Sequence, residues 1–172
     1  MAVATCQIRT NDVHETYEAI VTFLTARSVT FTIHEHTPSY TVADAGERLP
    51  FPVERLLKAI AFRIKAGGYI LAAVRGPDRV DYRKLAAASG TKRADVVRLT
   101  PEEVAAVFGV EVGSVSPIPL QEGVVVFFDT QVPTDETVFC GIGRADRTLE
   151  IRLADLVQIT HGQVLPLISD TT

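Results

Sequence analysis

The chain has 172 residues, 47% of them hydrophobic and 22% charged, as in an ordinary globular protein with one domain and a sizeable core. No apolar stretch approaches the roughly 18 residues of a membrane-spanning helix, so we expect no membrane partner. The net charge of −4 excludes a uniformly basic protein that coats a polyanion, and two cysteines are too few for a disulfide framework or a zinc site.

The N-terminus and the cysteines indicate the compartment. The first residues, MAVATCQ, have no basic stretch followed by an apolar one, so we expect no signal peptide. Cys140 lies in an apolar, strand-like run and is expected to be a small core residue. Together these features predict a cytoplasmic protein.

Hydrophobic spacing predicts the secondary structure, since apolar residues three and four apart indicate a helix and alternating ones a strand. Capping patterns at Thr41, Asp81 and Thr100 mark helix starts. In chain order we predict a helix over 12–27, a strand over 29–36, a short helix from Thr41 to about Gly46, a hairpin of strands 58–64 and 69–74, a helix from Asp81 to about Ala88, a helix from Thr100 to about Phe108, strands over 124–128, 137–140 and 148–151, and a short helix from Leu153.

This order of elements predicts the fold class. Local hairpins alternate with helices, which is typical of an α+β domain with a mixed, largely antiparallel sheet. The chain has no internal repeat, low-complexity segment or linker that would divide it. We therefore expect one domain over 29–172, with residues 1–28 as an N-terminal helical extension packed on it.

The stretch Gly113-Ser114-Val115-Ser116-Pro117 is the most informative part of the sequence. It has neither a helical nor a strand period, and it places a glycine four residues before a proline. Glycine allows a turn that side chains would forbid, whereas proline fixes φ and removes an N–H. We expect a loop that presents backbone amides to a ligand.

Lys58 is the second candidate. It opens an alternating run, and a side-chain period of two places it on the face shared by Ile60, Phe62 and Ile64. A lysine on an apolar face either extends its ammonium group to solvent at the strand end or serves a site. The residues alone leave both alternatives open.

Basic residues concentrate in the middle of the chain. Residues 55–98 hold 11 lysines and arginines and three acids, a net charge of +8, while the remainder carries −12. A local basic surface in an acidic chain is typical of a protein that contacts phosphate at one place. For Lys92 and Arg93, which follow the break at 89–90, the alternative is a solvated loop.

Familiar catalytic signatures are absent from the sequence. It has no GxGxxG motif, P-loop, HExxH or GxSxG, and we predict no cofactor. His34 and His36 share a strand face and would form half of a metal site, but without a clear third ligand we predict no metal and expect a pocket-lining or exposed role. Asp129 follows a strand and is either a site acid or a turn former.

The motifs, taken in order, resemble a known family, the YbaK-type proteins. This family includes free-standing aminoacyl-tRNA deacylases and the editing domain inserted in bacterial prolyl-tRNA synthetases. The likeness runs from about Val29 to Ile168. The residues that carry it, in the order and spacing of the family, are Lys58 at a strand start, Asp78-Arg79-Val80-Asp81 with Lys84-Leu85 leading a helix, the loop over 113–117, and Gly141-Ile142-Gly143.

The resemblance implies hydrolysis of the ester that joins a wrong, small amino acid to tRNA, with tRNA-Pro as the expected carrier. It also implies a sheet curled around a small pocket and flanked by helices. Lys58 is implied to bind near the terminal adenosine or its phosphate. Gly113 and Pro117 match the GxxxP loop, whose backbone is implied to hold the aminoacyl carbonyl. No protein nucleophile is needed, because a water and a stabilised oxyanion suffice and the substrate's own ribose hydroxyl or side chain is proposed to assist.

From this resemblance and the residues we assign the expected site. The catalytic residues are Lys58, Gly113, Ser114, Ser116 and Pro117; the substrate contacts are His36, Tyr40, Thr41, Asp129, Gly141 and Gly143; the RNA contacts are Arg79, Lys84, Lys92 and Arg93. Ser114 departs from the second glycine that many relatives carry, which leaves the edited amino acid open.

The expected partner is the acceptor end of an aminoacyl-tRNA, with an aminoacyl-tRNA synthetase as a further candidate partner and no DNA. The alternative function is a non-catalytic module of the same fold that binds tRNA or a synthetase, or acts as a regulator. Fold alone does not separate these two functions.

Overall fold

The structure is a computed structural model and describes residues 12–111 and 113–170. Two 3₁₀ turns, Val53–Arg55 and Arg93–Asp95, precede the second and fourth strands. In chain order the helices and strands are α1 (Asp12–Ala26), β1 (Phe31–Glu35), α2 (Val42–Arg48), β2 (Leu56–Ile64), β3 (Tyr69–Arg75), α3 (Tyr82–Ala88), β4 (Val96–Arg98), α4 (Pro101–Phe108), β5 (Val124–Asp129), β6 (Thr137–Gly141), β7 (Arg147–Arg152), α5 (Leu153–Thr160) and β8 (Gln163–Leu165).

Within the described residues, eight strands form one mixed sheet in the order β1-β7-β6-β2-β3-β5-β8, with β4 paired to β2 beside this path. The pairs β1·β7, β6·β7, β2·β3 and β2·β4 are antiparallel. The pairs β2·β6, β3·β5 and β5·β8 are parallel. The predicted α+β class with a single domain and a mixed, largely antiparallel sheet is confirmed.

The helices begin where the capping residues predict. Thr41 and Asp44 form a reciprocal capping box at α2, and Thr100 and Glu103 do the same at α4. At α3 the Asp81 carboxylate accepts the N–H groups of the first turn. Each cap stabilises its helix by about 1 kcal/mol because it satisfies amides that have no partner within the helix.

Two features of the secondary structure differ from the prediction. Helix α2 does not end near Gly46 but continues to Arg48, because tertiary packing tolerates a glycine within a helix. Strands β4 and β8 have three residues each and were not predicted. Such short strands carry no period from which to recognise them and form because a neighbouring strand offers a free edge.

The sheet divides the core into two faces. Leu57, Ala61 and Leu71 point to the larger cluster, which includes residues of α1, α4 and α5. Phe62 and Ile70 point to the smaller cluster beneath α3. By the period of two, Lys58 lies on the same face as Phe62.

Helix α1 packs on the sheet, because Ile20 and Leu24 are buried in the larger cluster. Residues 1–11 of the expected N-terminal extension lie outside the described residues, and a domain boundary between 28 and 29 stays a prediction. Cys140 is buried in the core as expected, and burial raises the pKa of its thiol to about 12. In the ranges 12–111 and 113–170 no helix is both long and apolar enough to cross a membrane.

Candidate active site

A cavity of about 560 Å³ opens on the Lys58 face of the sheet. Its floor is formed by β2, β6 and β7, and one wall is formed by Val42 and Ala45 of α2 together with Leu49, which caps that helix. The opposite side carries Gly113 and Val115 of the loop over 113–117. A pocket on the sheet, which the resemblance implied, is therefore present.

Lys58 lies in this cavity and is half-buried. Its Nζ donates a hydrogen bond of 2.9 Å to the Gly76 carbonyl in the turn after β3. Burial lowers the pKa of Lys58, against the opposite influence of Asp78, and the charges of Arg98 and Arg79 lower it further. Because one N–H of the ammonium group is fixed by Gly76, the group is oriented within the cavity instead of extending freely to solvent.

Lys58, Gly141 and Thr148 form a row across three strands. Leu57 pairs with Cys140 in the parallel register, so Gly141 falls beside Lys58 one residue further along. Gly141 pairs with Thr148 on β7. With adjacent strands about 4.8 Å apart, the backbones of Lys58 and Thr148 are separated by roughly 10 Å across Gly141.

Gly141 and Gly143 hold the loop over 113–117. A side chain at Gly141 would overlap the backbone of Ser114 and Val115. The Gly143 N–H donates to the Ser114 carbonyl at 2.9 Å. The two glycine-bearing motifs of the sequence are thus in contact, with Gly141 lining the cavity and Gly143 supporting the loop from outside it.

Gly113 has a φ of +96°, and an added Cβ there would overlap the Tyr40 carbonyl. This close approach of two backbones joins the loop to the segment before α2. Tyr40 is 51% exposed and lies with Thr41 at the cavity lining. The structure therefore brings Gly113, Tyr40 and Thr41 together at one side of the cavity. Thr41 also caps α2, and this capping is the only role that its local sequence predicted.

The remaining loop residues are buried and lie outside the lining of the cavity. Ser114 donates its N–H to the Glu111 carbonyl and lines a separate, more open cleft beyond Tyr40. The Ser116 hydroxyl accepts the Ile118 N–H at 3.2 Å. Pro117 is buried. Any part that these residues play in catalysis is therefore through the shape of the loop or through its backbone.

Two backbone amides in the loop are available. In the described part of the chain no hydrogen bond uses the N–H of Val115 or of Ser116. Unused amides on a glycine-anchored loop are the groups that stabilise a developing oxyanion in acyl transfer.

His36 also lies in the cavity, on the side of β7. Its Nδ1 is 2.8 Å from the Thr37 carbonyl oxygen, and its Nε2 is 2.8 Å from the Thr148 hydroxyl. His34 instead pairs with Glu150 at 2.5 Å. The two histidines thus have separate partners, and among the described residues no group of three His, Cys, Asp or Glu is arranged to hold a metal ion.

The predicted RNA contacts occupy different positions. Arg79 lines the cavity. Arg93 stacks 4.3 Å above the ring of Tyr82, which also lines it, and Lys92 is exposed away from the lining. Lys84 donates to the Ile168 carbonyl and to Asp170, so its ammonium group ties down the chain after β8 and does not face the cavity.

Asp129 does not line the cavity. It is fully buried, and its carboxylate accepts the N–H groups of Gln131, Leu167 and Ile168. These contacts correspond to the turn-former alternative, and they argue against Asp129 as a substrate contact.

Three arginines of the lining were not singled out from the sequence: Arg98, Arg144 and Arg147. Arg98 ends the basic segment and lies opposite Phe62 in the β2·β4 pair, a placement that depends on the unpredicted strand β4. Arg144 forms two hydrogen bonds of 2.9 Å with Asp146, which lower the pKa of that carboxyl. Arg147 pairs with Asp146 and Glu35.

The charges around the cavity are therefore uneven. Arg79 and Arg98 have no ion pair with any described residue. Arg144 instead pairs with Asp146, and Arg147 pairs with Asp146 and Glu35. No aspartate or glutamate is among the described residues that line the cavity. The side of the cavity near β2 and β4 is therefore suited to binding an anion, whereas the charges on the side near β7 nearly cancel.

Residues 36–159 match the family model of the aminoacyl-tRNA editing domain. The chain belongs to this family. The matched range contains the row of Lys58, Gly141 and Thr148 and the loop over 113–117. The editing domain also contains Arg79 and Arg98, the two cavity arginines that have no acidic partner among the described residues.

Relatives of this editing domain include both separate proteins and parts of larger ones. The uncharacterized protein YwhH of Bacillus subtilis is 28% identical over 128 residues, which cover 74% of this chain and 80% of that protein. The proline–tRNA ligase of Geobacillus kaustophilus is 33% identical over 102 residues, or 59% of this chain. That match covers only 17% of the ligase.

Solved structures share the fold of the editing domain. The hypothetical protein APE2540 superposes with a TM-score of 0.80 at 24% identity, covering 87% of this chain and 99% of that one. A candidate trans-editing enzyme for prolyl tRNA synthetase superposes with a TM-score of 0.78 at 21% identity, covering 90% of this chain and 98% of that one.

Proposed function

We propose that this editing domain is a trans-acting deacylase that hydrolyses the ester between a mischarged amino acid and its tRNA. The observation that carries the proposal is that an oriented, partly desolvated Lys58 shares one cavity with Val115, whose loop N–H has no hydrogen-bond partner among the described residues. Membership of the aminoacyl-tRNA editing family supports aminoacyl-tRNA as the substrate class.

The reaction requires a water, a positioned ester and a stabilised oxyanion. Water attacks the acyl carbon, and the loop amides hold the negative charge that develops on the carbonyl oxygen. The bond from the acyl carbon to the ribose oxygen then breaks, and that oxygen takes up a proton. The products are a free amino acid and an uncharged tRNA, and no protein nucleophile or cofactor takes part.

The cations of the cavity position the acceptor end. Lys58, Arg79 and Arg98 lie on one side without a carboxylate in the described lining, which suits the phosphate next to the terminal adenosine. We propose a small amino acid as the one removed, because Leu56 and Phe139 line the same sheet face and the Val115 carbonyl lies directly over Gly141, which limits the room for an acyl side chain. We propose tRNA-Pro as the carrier, in view of the ligase relatives and the structure described for prolyl tRNA synthetase editing.

A panel of mischarged tRNAs tests the proposal. We expect the protein to release alanine or another small amino acid from tRNA-Pro, and to leave correctly charged prolyl-tRNA intact. Release is measured from radiolabelled amino acid, with the Lys58→Ala protein as the control. Saturable binding without release from any member of the panel would overturn the deacylase.

One observation favours a second candidate. The described lining has no carboxylate, so His36 is the only ordinary general base there, and its Nε2 is already engaged by Thr148. A module that binds tRNA or a synthetase without hydrolysis needs no base, and the outcome of saturable binding without release would identify it.

A further inference from the structure

The contacts of His36 determine which partner is the donor in its hydrogen bond with Thr148. A carbonyl oxygen only accepts, so the Nδ1 atom beside the Thr37 carbonyl carries a proton. In the neutral ring Nε2 is then an acceptor, and the Thr148 hydroxyl donates to it. With its proton used in this way, the Thr148 oxygen offers only lone pairs to other groups.

This oxygen belongs to the cavity. Thr148 and His36 both line it, on the opposite side of Gly141 from Lys58. Thr148 is 7% exposed, so the hydroxyl is accessible from the cavity rather than from the outer surface. An acceptor thus lies two strands away from Lys58, the cation of the proposed phosphate side.

The charges give the cavity a direction. On the side of β2 and β4, Arg79 and Arg98 lack acidic partners in the described chain. On the side of β7, Arg147 is paired with Glu35 at 3.1 Å and with Asp146 at 2.9 Å. An aminoacyl nucleotide is itself polar in the same sense, with a negative phosphate at one end and a protonated α-amino group at the other.

We propose that the Thr148 hydroxyl, held as an acceptor by His36, binds the α-ammonium group of the aminoacyl ester and so selects acyl groups that carry a free amine. The inference rests on the proposed function, because it takes the aminoacyl end of tRNA as the occupant. Neither Asp nor Glu among the described lining residues competes for this role. Thr148 is a specificity-determining residue that contacts the substrate and takes no part in bond breaking.

Stable amides of 3′-amino-3′-deoxyadenosine test the proposal without relying on hydrolysis. The alanyl amide carries the α-ammonium group, and the propionyl amide has the same carbon skeleton without it. Titration calorimetry with the full chain measures both dissociation constants. We expect wild type to bind the alanyl amide about tenfold more tightly, the size of one hydrogen bond from a charged donor.

Two variants locate that preference. Thr148→Val keeps the shape of the side chain and removes the hydroxyl, so the preference should fall to about twofold or less, while Thr148→Ser should retain it. Binding of the propionyl amide should be the same in all three proteins, which a purely structural effect of residue 148 would not produce.

Three results would overturn the proposal: equal binding of the two amides by wild type, an unchanged preference in Thr148→Val, or no binding of either amide. A failure of hydrolysis on the tRNA panel together with a Thr148-dependent amide preference would instead reject the deacylase and retain the ammonium site.

Discussion

A Cβ atom at Gly141 would lie 2.6 Å from the Val115 carbonyl oxygen, so the end of β6 and the loop over 113–117 are in backbone contact. This contact fixes the loop against the end of β6, in the lining that also contains Lys58 and Thr148, and a side chain at position 141 would displace the loop. The site therefore depends on a missing side chain as much as on those that are present.

We expect Gly141→Ala to lower deacylation by at least about tenfold, or about 1.4 kcal/mol of transition-state stabilisation, because the loop must move away from its present position. Single-turnover rates on the best tRNA of the panel measure the loss. Gly46→Ala is a matched control, since its added Cβ meets only the end of the Val53 side chain. Wild-type rates in Gly141→Ala would show that the loop position is unimportant.

Removal of the lysine tests its catalytic role. Lys58→Ala should reduce deacylation by at least about tenfold, while the protein stays folded because a half-buried lysine contributes little packing. Lys65→Ala, at the exposed turn between β2 and β3, is the control and should leave the rate unchanged. Full activity of a folded Lys58→Ala protein would exclude Lys58 from the mechanism.

The lowered pKa of Lys58 predicts a dependence of stability on pH. The folded protein loses this proton at a lower pH than the unfolded chain, whose lysines titrate near the ordinary 10.5. Between these two values the unfolded state binds more protons, so stability should rise with pH. Urea titrations should show wild type gaining stability relative to Lys58→Met as the pH is raised towards 10.5; a constant difference would contradict the desolvation of Lys58.

Reversing the charges of Lys92 and Arg93 should affect the binding of tRNA more than the hydrolysis step. Lys92→Glu combined with Arg93→Glu is expected to raise KM for aminoacyl-tRNA several-fold with little change in kcat, because these residues position RNA at a distance from the ester. Binding by wild type should also weaken with salt, and the salt slope should be smaller in the double variant. Lys65→Glu is the control for the change in charge alone. An unchanged KM of the double variant at low salt would show that tRNA docks on another surface.

The buried Asp129 should matter for stability and not for turnover. Asp129→Asn keeps one acceptor oxygen where the carboxylate now serves three N–H groups, so we expect a loss of roughly 1–3 kcal/mol in the free energy of unfolding. Urea denaturation measures the loss, and kcat/KM of the folded variant should equal that of wild type. A selective loss of activity would restore Asp129 as a substrate contact.

Local patterns predicted most of the fold, because caps such as Thr41 and Asp81 and the turn between β2 and β3 act over a few residues. No local pattern predicted a common site for Lys58 and Gly113; the order of the motifs did, and both residues line the cavity. Thr148 and Arg98 could not be found in this way, since their neighbours in space, His36 and Phe62, are brought to them by strand pairing.

The parallel pairing of β2 with β6 has a consequence for the timing of synthesis. Leu56 and Phe139 are neighbours in the sheet yet lie more than 80 residues apart in the chain. Closing so long a loop is slow and must precede any gain from the contact. A ribosome-bound chain that has β2 and Lys58 but lacks β6 and β7 has no complete floor for the cavity. We therefore expect the nascent chain to acquire binding of aminoacyl ends late, after β7 has left the exit tunnel.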